Sequence, residues 1–254
     1  MSSIQQGIIA FILLLFYNAS VYATSHKLIK IGTIGFPPYG ISTHGKLTGI
    51  YYDVANILVS KAGYSSHNKV APYARIIREI KYGDIDMTIM FRYPELEDYV
   101  YYVAPLSSLK TVVIGIQGND FEDINDLNNK KIVYLRGAKF SDAIDNNATI
   151  VKYQIKDFLQ GIKMLMAGRA DAIIGPLEPI LSASLQIKGV NVIFGKPLIV
   201  DIRTPWIQVS KRNRAHIDID KLKQSFSEMQ SANTLNILRA KYLKLPQKMP
   251  LIKK

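Results

Sequence analysis

The chain has 254 residues, 48% hydrophobic and 20% charged, which suits a globular protein of one or two domains, with no low-complexity tract and no repeat of 20–50 residues. It has no cysteine, which excludes disulfides, thiolate metal sites, cysteine nucleophiles and a lipid-modified N-terminal cysteine. The net charge is +12, and from Arg203 to Lys254 there are 12 Lys/Arg against Asp218, Asp220 and Glu228, so nine of the twelve charges sit in the last fifth on helix faces and a Lys-rich tail; they read as a solvated basic face rather than a nucleic-acid surface.

In chain order, residues 1–23 read as an export signal. An apolar run from Ile8 to Tyr17 is broken by Asn18 and Ser20, and Val21 and Ala23 are small residues at the two positions that a signal peptidase inspects. The run is short for a bilayer span, and its n-region carries no Lys or Arg; an uncleaved anchor or a buried N-terminal helix is the alternative.

Lys27–Ile34 alternates and is β-branched, which predicts a strand. Gly49–Ala62 and Ala74–Tyr82 carry apolar residues at helical spacing and are closed by Gly63 and Gly83. Strands are expected at Asp86–Met90, Leu109–Ile116, Lys131–Leu135, Ile150–Ile155, Ala170–Ile174, Asn191–Phe194 and Trp206–Val209. Helices are expected from Asp123, over Asp157–Ala167, and as one or two long segments over Asp218–Leu243. Alternating strands and helices imply an α/β protein with mostly parallel sheets. In such sheets ligands gather beyond the carboxyl ends of the strands. Those ends carry Phe36–Tyr39, Tyr73 with Arg75, Phe91-Arg92, Arg136–Lys139 and Pro176–Glu178. Arginines mixed with aromatics favour an anionic or zwitterionic solute with a flat or apolar part. The four histidines are scattered, so no metal site and no cofactor is expected.

Five segments in order carry a family resemblance: "GFPPYG…GKLTGIYYDVANIL", "REIKYGDIDMTIMFRYPELEDYVYYVAPL", "LNNKKIVYLRGAKF", "GIKMLMAGRADAIIG" and "WIQVSKRN…LNILRAKYL". From about Lys27 to Leu243 the chain resembles the family 3 solute-binding proteins of bacterial polar-amino-acid ABC transporters, which have the type II periplasmic binding fold. The resemblance implies two α/β lobes closing on a solute: lobe 1 from residues 24–110 and 203–254, and lobe 2 from 111–202. It also implies a periplasmic monomer working with an inner-membrane ABC permease or a sensor, without nucleic acid and without catalysis. Three of the family's contacts are altered. Leu96 stands where an arginine grips the α-carboxylate, Pro176 where an aspartate meets the α-ammonium, and Ala138 follows Gly137 where Thr or Ser is usual.

Arg75 and Arg92 are therefore the expected substitutes for the missing arginine. Phe36, Tyr39 and Tyr73 are expected to form the cleft wall, Phe91 to follow them, and Arg136, Gly137, Ala138, Lys139, Pro176 and Glu178 to face them from lobe 2. Two further functions share the scaffold: a dehydratase-like enzyme using Glu178 as acid or base, and a degenerate scaffold that contacts a protein partner.

Overall fold

The computed structural model describes residues 27–243; the expected signal at 1–23 lies outside them. The chain opens with β1 (Leu28–Ile34), the hairpin β2 (Ile41–Thr43) and β3 (Lys46–Thr48), α1 (Ile50–Lys61), β4 (Ser65–Ala71), α2 (Tyr73–Tyr82), β5 (Met87–Phe91) and β6 (Val100–Pro105). It continues through β7 (Leu109–Ile114), β8 (Lys131–Leu135), α3 (Asp142–Asp145), β9 (Val151–Ile155), α4 (Phe158–Met166), β10 (Ala172–Pro176), α5 (Leu177–Ser184) and β11 (Leu198–Arg203). It returns through β12 (Pro205–Ser210) and ends with α6 (Ile219–Ser231) and α7 (Thr234–Tyr242).

Two five-stranded sheets result, in the orders β4-β1-β5-β12-β6 and β11-β7-β10-β8-β9. Every residue of β5 and of β10 is buried, so these two strands anchor the two cores. Both sheets are mixed rather than mostly parallel. β4, β1 and β5 run parallel, as do β10, β8 and β9, whereas β12 lies antiparallel to β5 and β6, and β7 antiparallel to β10 and β11. The antiparallel members are the strands that carry the chain between sheets; a strand arriving from the other lobe needs no crossover helix and can enter in reverse.

The chain leaves the first sheet at Pro105 and joins the second at Leu109; it returns between Arg203 and Pro205. Leu109, Lys110 and Arg203, assigned from sequence to the first lobe, pair within the second sheet. The two crossing segments are tied together, with the Leu106 amide donating to the Pro205 carbonyl at 2.8 Å and the Ser108 and Thr204 hydroxyls 2.7 Å apart.

The helices follow their local chemistry. α2 stops at Gly83, whose φ of 79° is the left-handed conformation that a helix C-terminus favours. Asp157 caps α4 by accepting from the Gln160 amide at 2.8 Å, and Asp218 caps α6 through the amides of Asp220 and Lys221. Asn233, at φ 56°, divides α6 from α7.

The sequence pattern missed β4, β6, β11 and α5. β4 (SSHNKVA) is an edge strand with polar residues facing solvent, and α5 tolerates Pro179 because it lies in the first turn, where the proline nitrogen owes no intrahelical bond. Asn191–Phe194 is not a strand. Only Phe194 makes a bridge, to Ile116, and Val190 and Ile193 are exposed, because the segment lies beyond the end of β7 at Ile114, where no strand remains to pair with. The helix expected from Asp123 is a 3-10 turn, Ile124–Leu127.

Candidate functional site

The loop after β1 is folded onto the start of α1. The Phe36 carbonyl accepts from the amides of Tyr39 and Gly40, and the carbonyls of Pro38 and Tyr39 accept from the amides of Ile50 and Tyr51, each at 2.9 Å. The free amides that open α1 are thus satisfied by the loop itself and are not left for an anion. Gly49 permits this contact: its φ is 128°, and a Cβ there would stand 2.5 Å from the Tyr39 carbonyl oxygen.

Held in this way, the loop delivers two rings to a cluster between the sheets. Phe36 stacks on Tyr73 (centroids 6.2 Å apart, planes at 18°), meets Tyr39 edge-on, and meets Phe158 of the second lobe edge-on at 5.5 Å. Tyr39 lies 4.2 Å from Tyr51, while Tyr73 meets Tyr93 edge-on and shares a hydroxyl–hydroxyl bond with it. Such ring pairs contribute about 0.5–1.5 kcal/mol beyond burial.

The rings surround a cavity lined by Ile34, Phe36, Tyr39, Tyr51, Tyr73, Met90, Phe91, Leu109, Pro176 and Pro205, with no charged side chain among them. It offers about 20 Å³ to the centres of water molecules, enough for a water and too little for a solute of amino-acid size. Burial pushes the Tyr39, Tyr51, Tyr73 and Tyr93 phenols above their ordinary range; beside Tyr39 and Tyr51 the Glu178 carboxylate pushes the same way. These hydroxyls therefore serve the site as neutral hydrogen-bonding groups.

Polar ties cross between the lobes around the cavity. Glu178, in the first turn of α5, accepts from the Tyr39 hydroxyl and from Arg239 of α7, the latter at 2.5 Å. Lys139 pairs with Glu95 at 3.1 Å, and the Tyr93 hydroxyl and the Arg203 guanidinium both donate to the Lys139 carbonyl. Arg203 also donates to the Arg92 carbonyl and lies over the rings of Phe91 and Tyr93. Gly137 abuts α2, where its added Cβ would be 3.0 Å from the Ala74 Cβ. The lobes are shut.

The structure brings Phe36, Tyr39, Tyr73, Phe91 and Pro176 together on the cavity wall and sets Glu178 behind Tyr39. Ala138 is buried and does not line the cavity, and Gly137 and Lys139 meet residues of the first lobe. The arginines behave differently. Arg92 turns outward, forks onto Glu97 at 3.0 and 3.1 Å and covers the rings of Tyr102 and Trp206. Arg75 and Arg136 are exposed and do not line the cavity. Leu96, where the resemblance implies an arginine, is fully buried.

Sequence reasoning missed Tyr51, Tyr93, Phe158, Arg203 and Arg239. Phe158 opens the helix after a strand end, so the strand-end rule could have found it. Arg239 sits in a helix read only as a basic face, and nothing local marks it. Among the described residues no group of three or more His, Asp or Glu side chains is arranged to hold a metal, and no helix is long and apolar enough to cross a membrane.

Similarity to known proteins agrees with this architecture. The chain is 21% identical over 226 residues to the probable amino-acid-binding protein YxeM of Bacillus subtilis (strain 168), covering 85% of this chain and 84% of that one. A structure of an ancestral arginine-binding protein bound to arginine superposes with a TM-score of 0.73 at 23% identity, covering 86% of this chain and 99% of that one. A histidine kinase sensor domain with similarity to periplasmic binding proteins superposes with a TM-score of 0.74 at 14% identity, covering 89% and 100%. The family model of bacterial extracellular solute-binding proteins, family 3, matches residues 29–245. Two lobes of this topology, joined by two crossing segments and shut on an aromatic cavity, together with a match spanning both lobes, place the chain in that family.

Proposed function

We propose that the protein captures a small amino-acid-like solute, zwitterionic or anionic, between its lobes in the periplasm and presents it to an inner-membrane ABC permease or to a sensor. The observation that carries this reading is the aromatic cavity buried at the junction of the two lobes. It is too small for a solute while the lobes are shut, so binding requires them to part and re-close on the solute, a hinge motion about the crossing segments. The names of YxeM and of the arginine-binding protein support the amino-acid class, and the sensor domain supports signalling as the second outlet.

In this reading the rings of Phe36, Tyr39, Tyr73 and Phe91, with Pro176, take the solute's flat or apolar part. The Gly137–Lys139 loop closes over it, with Arg75 and Arg136 flanking the mouth. Arg92 is diverted by Glu97 and serves the rim. The protein acts as a monomer and by binding rather than catalysis, and in the shut state the Glu178 carboxylate is held by Tyr39 and Arg239. Export follows from the signal at residues 1–23, and N-terminal sequencing of the periplasmic protein should begin at Thr24.

A thermal-shift screen against the L-amino acids, followed by small-angle scattering with each hit, tests the function. At least one amino acid should raise Tm, and a solute at a hundred times its Kd stabilises by about 2.7 kcal/mol. Silence across the panel would defeat the amino-acid reading and favour a scaffold that contacts a protein.

A further inference from the structure

Glu178 belongs to the second lobe, yet both of its carboxylate oxygens are held by the first. The Tyr39 hydroxyl donates to Oε2, and Arg239 Nη2 donates to Oε1 at 2.5 Å. One oxygen on a phenol and the other on a guanidinium is how a free carboxylate would be gripped, by directional, charge-assisted bonds. The two donors are preorganised. Tyr39 is fully buried and wedged between Phe36 and Tyr51, and Arg239 is fixed on α7, with its side chain only 28% exposed. Tyr39 also lines the cavity, so one arm of the grip borders the space where a solute would lie, while Arg239 stands behind it on the far side of Tyr51. Leu96 and Pro176 offer a solute carboxylate and ammonium nothing, which leaves the charged pair behind Tyr39 as a candidate contact.

We propose that Arg239 and Tyr39 form a carboxylate-binding subsite of the first lobe, filled by Glu178 when the lobes shut and taken by a solute carboxylate when they part. The inference rests on the solute-binding reading and deepens it by naming the chemistry selected. A solute that displaces Glu178 leaves that carboxylate facing the cleft. Closure then favours a solute bringing a cation beside its own carboxylate over a dicarboxylate, whose second negative charge would meet Glu178.

Propionate tests the subsite without knowledge of the natural solute. Glu178→Ala empties the grip, and sodium propionate is titrated against matched sodium chloride with Tm as the readout. The single variant should gain about 3–6 °C at ten times the propionate Kd. Wild type should need at least tenfold more propionate for the same gain, and Glu178→Ala with Arg239→Met should show none. No gain in the single variant, an equal gain in the double variant, or equal sensitivity in wild type would each overturn the proposal. Glu178→Ser carries the same arms should the alanine variant not fold. A silent amino-acid panel with this propionate pattern would sink the amino-acid reading and leave the subsite standing; the reverse pattern would do the opposite.

Discussion

The inner wall and the outer rim of the cleft come from the same short segments, and neighbouring residues go opposite ways. Phe91 lines the cavity, while the next residue, Arg92, leaves it to fork onto Glu97 and lie over Tyr102. β5 ends at Phe91, and Arg92, just beyond it, finds its partners, the Glu97 carboxylate and the Tyr102 ring, on the outside. Tyr73 and Arg75 repeat the lesson on a helix. Two positions on a helix are about 200° apart, so Tyr73, Ile76 and Ile80 share the buried face while Arg75 and Arg78 share the exposed one. A residue at a strand end is near the site; the direction its side chain takes decides whether it enters.

The contrast between a dry wall and a solvated rim can be broken most forcefully with alkali. The phenols of Tyr39, Tyr51, Tyr73 and Tyr93 are raised by burial in the folded state above the usual value of 10.0. The unfolded chain then loses these protons first, so their contribution is intact below pH 10 and is lost as pH rises beyond it. A phenol held neutral in the folded state costs roughly 1.4 kcal/mol per pH unit above the unfolded value, so urea unfolding should show stability falling from pH 9 to pH 11 by at least about 1 kcal/mol. A flat profile would mean that water reaches the wall.

Leu96→Arg asks whether the arginine that the resemblance implies can simply be introduced. Leu96 is fully buried, so an unpaired charge there should cost about 3–5 kcal/mol in denaturant unfolding and add no affinity for amino acids. A stable variant that bound amino acids more tightly would show the wall to be convertible. Gly137→Val acts at the margin between wall and rim. The left-handed φ of 77° should cost about 1–2 kcal/mol, and the new side chain should press on Ala74 and enlarge the radius of gyration measured by scattering. An unchanged radius would show that the lobes do not meet there in solution.

The smallest effect is expected at the rim. Arg92→Ala should change stability by no more than about 0.5 kcal/mol, because its pair with Glu97 is solvent-exposed. Arg75→Ala and Arg92→Ala should each bind a solute found in the screen within about twofold of wild type by calorimetry. A tenfold loss in either would return the anion grip to the rim arginines.

Alternation and helical spacing in the sequence by themselves determined β1, α1, α2, β5, β8 and α4, because burying one face of an element leaves a periodic mark. They also brought Phe36, Tyr39, Tyr73, Phe91 and Pro176 into view as cavity wall, since strand ends point to the ligand side whatever the loops do. Edge elements such as β4 left no such mark, and Asn191–Phe194 left a false one, because strand formation there depends on a partner strand that has already ended at Ile114. Only the tertiary structure decided which charges face the cleft. Arg239 and Glu178 are 61 residues apart and meet through packing of α7 and α5 against opposite sides of the lobe junction. A long, flexible cation finds its partner by proximity in space, and no periodicity in the chain records that.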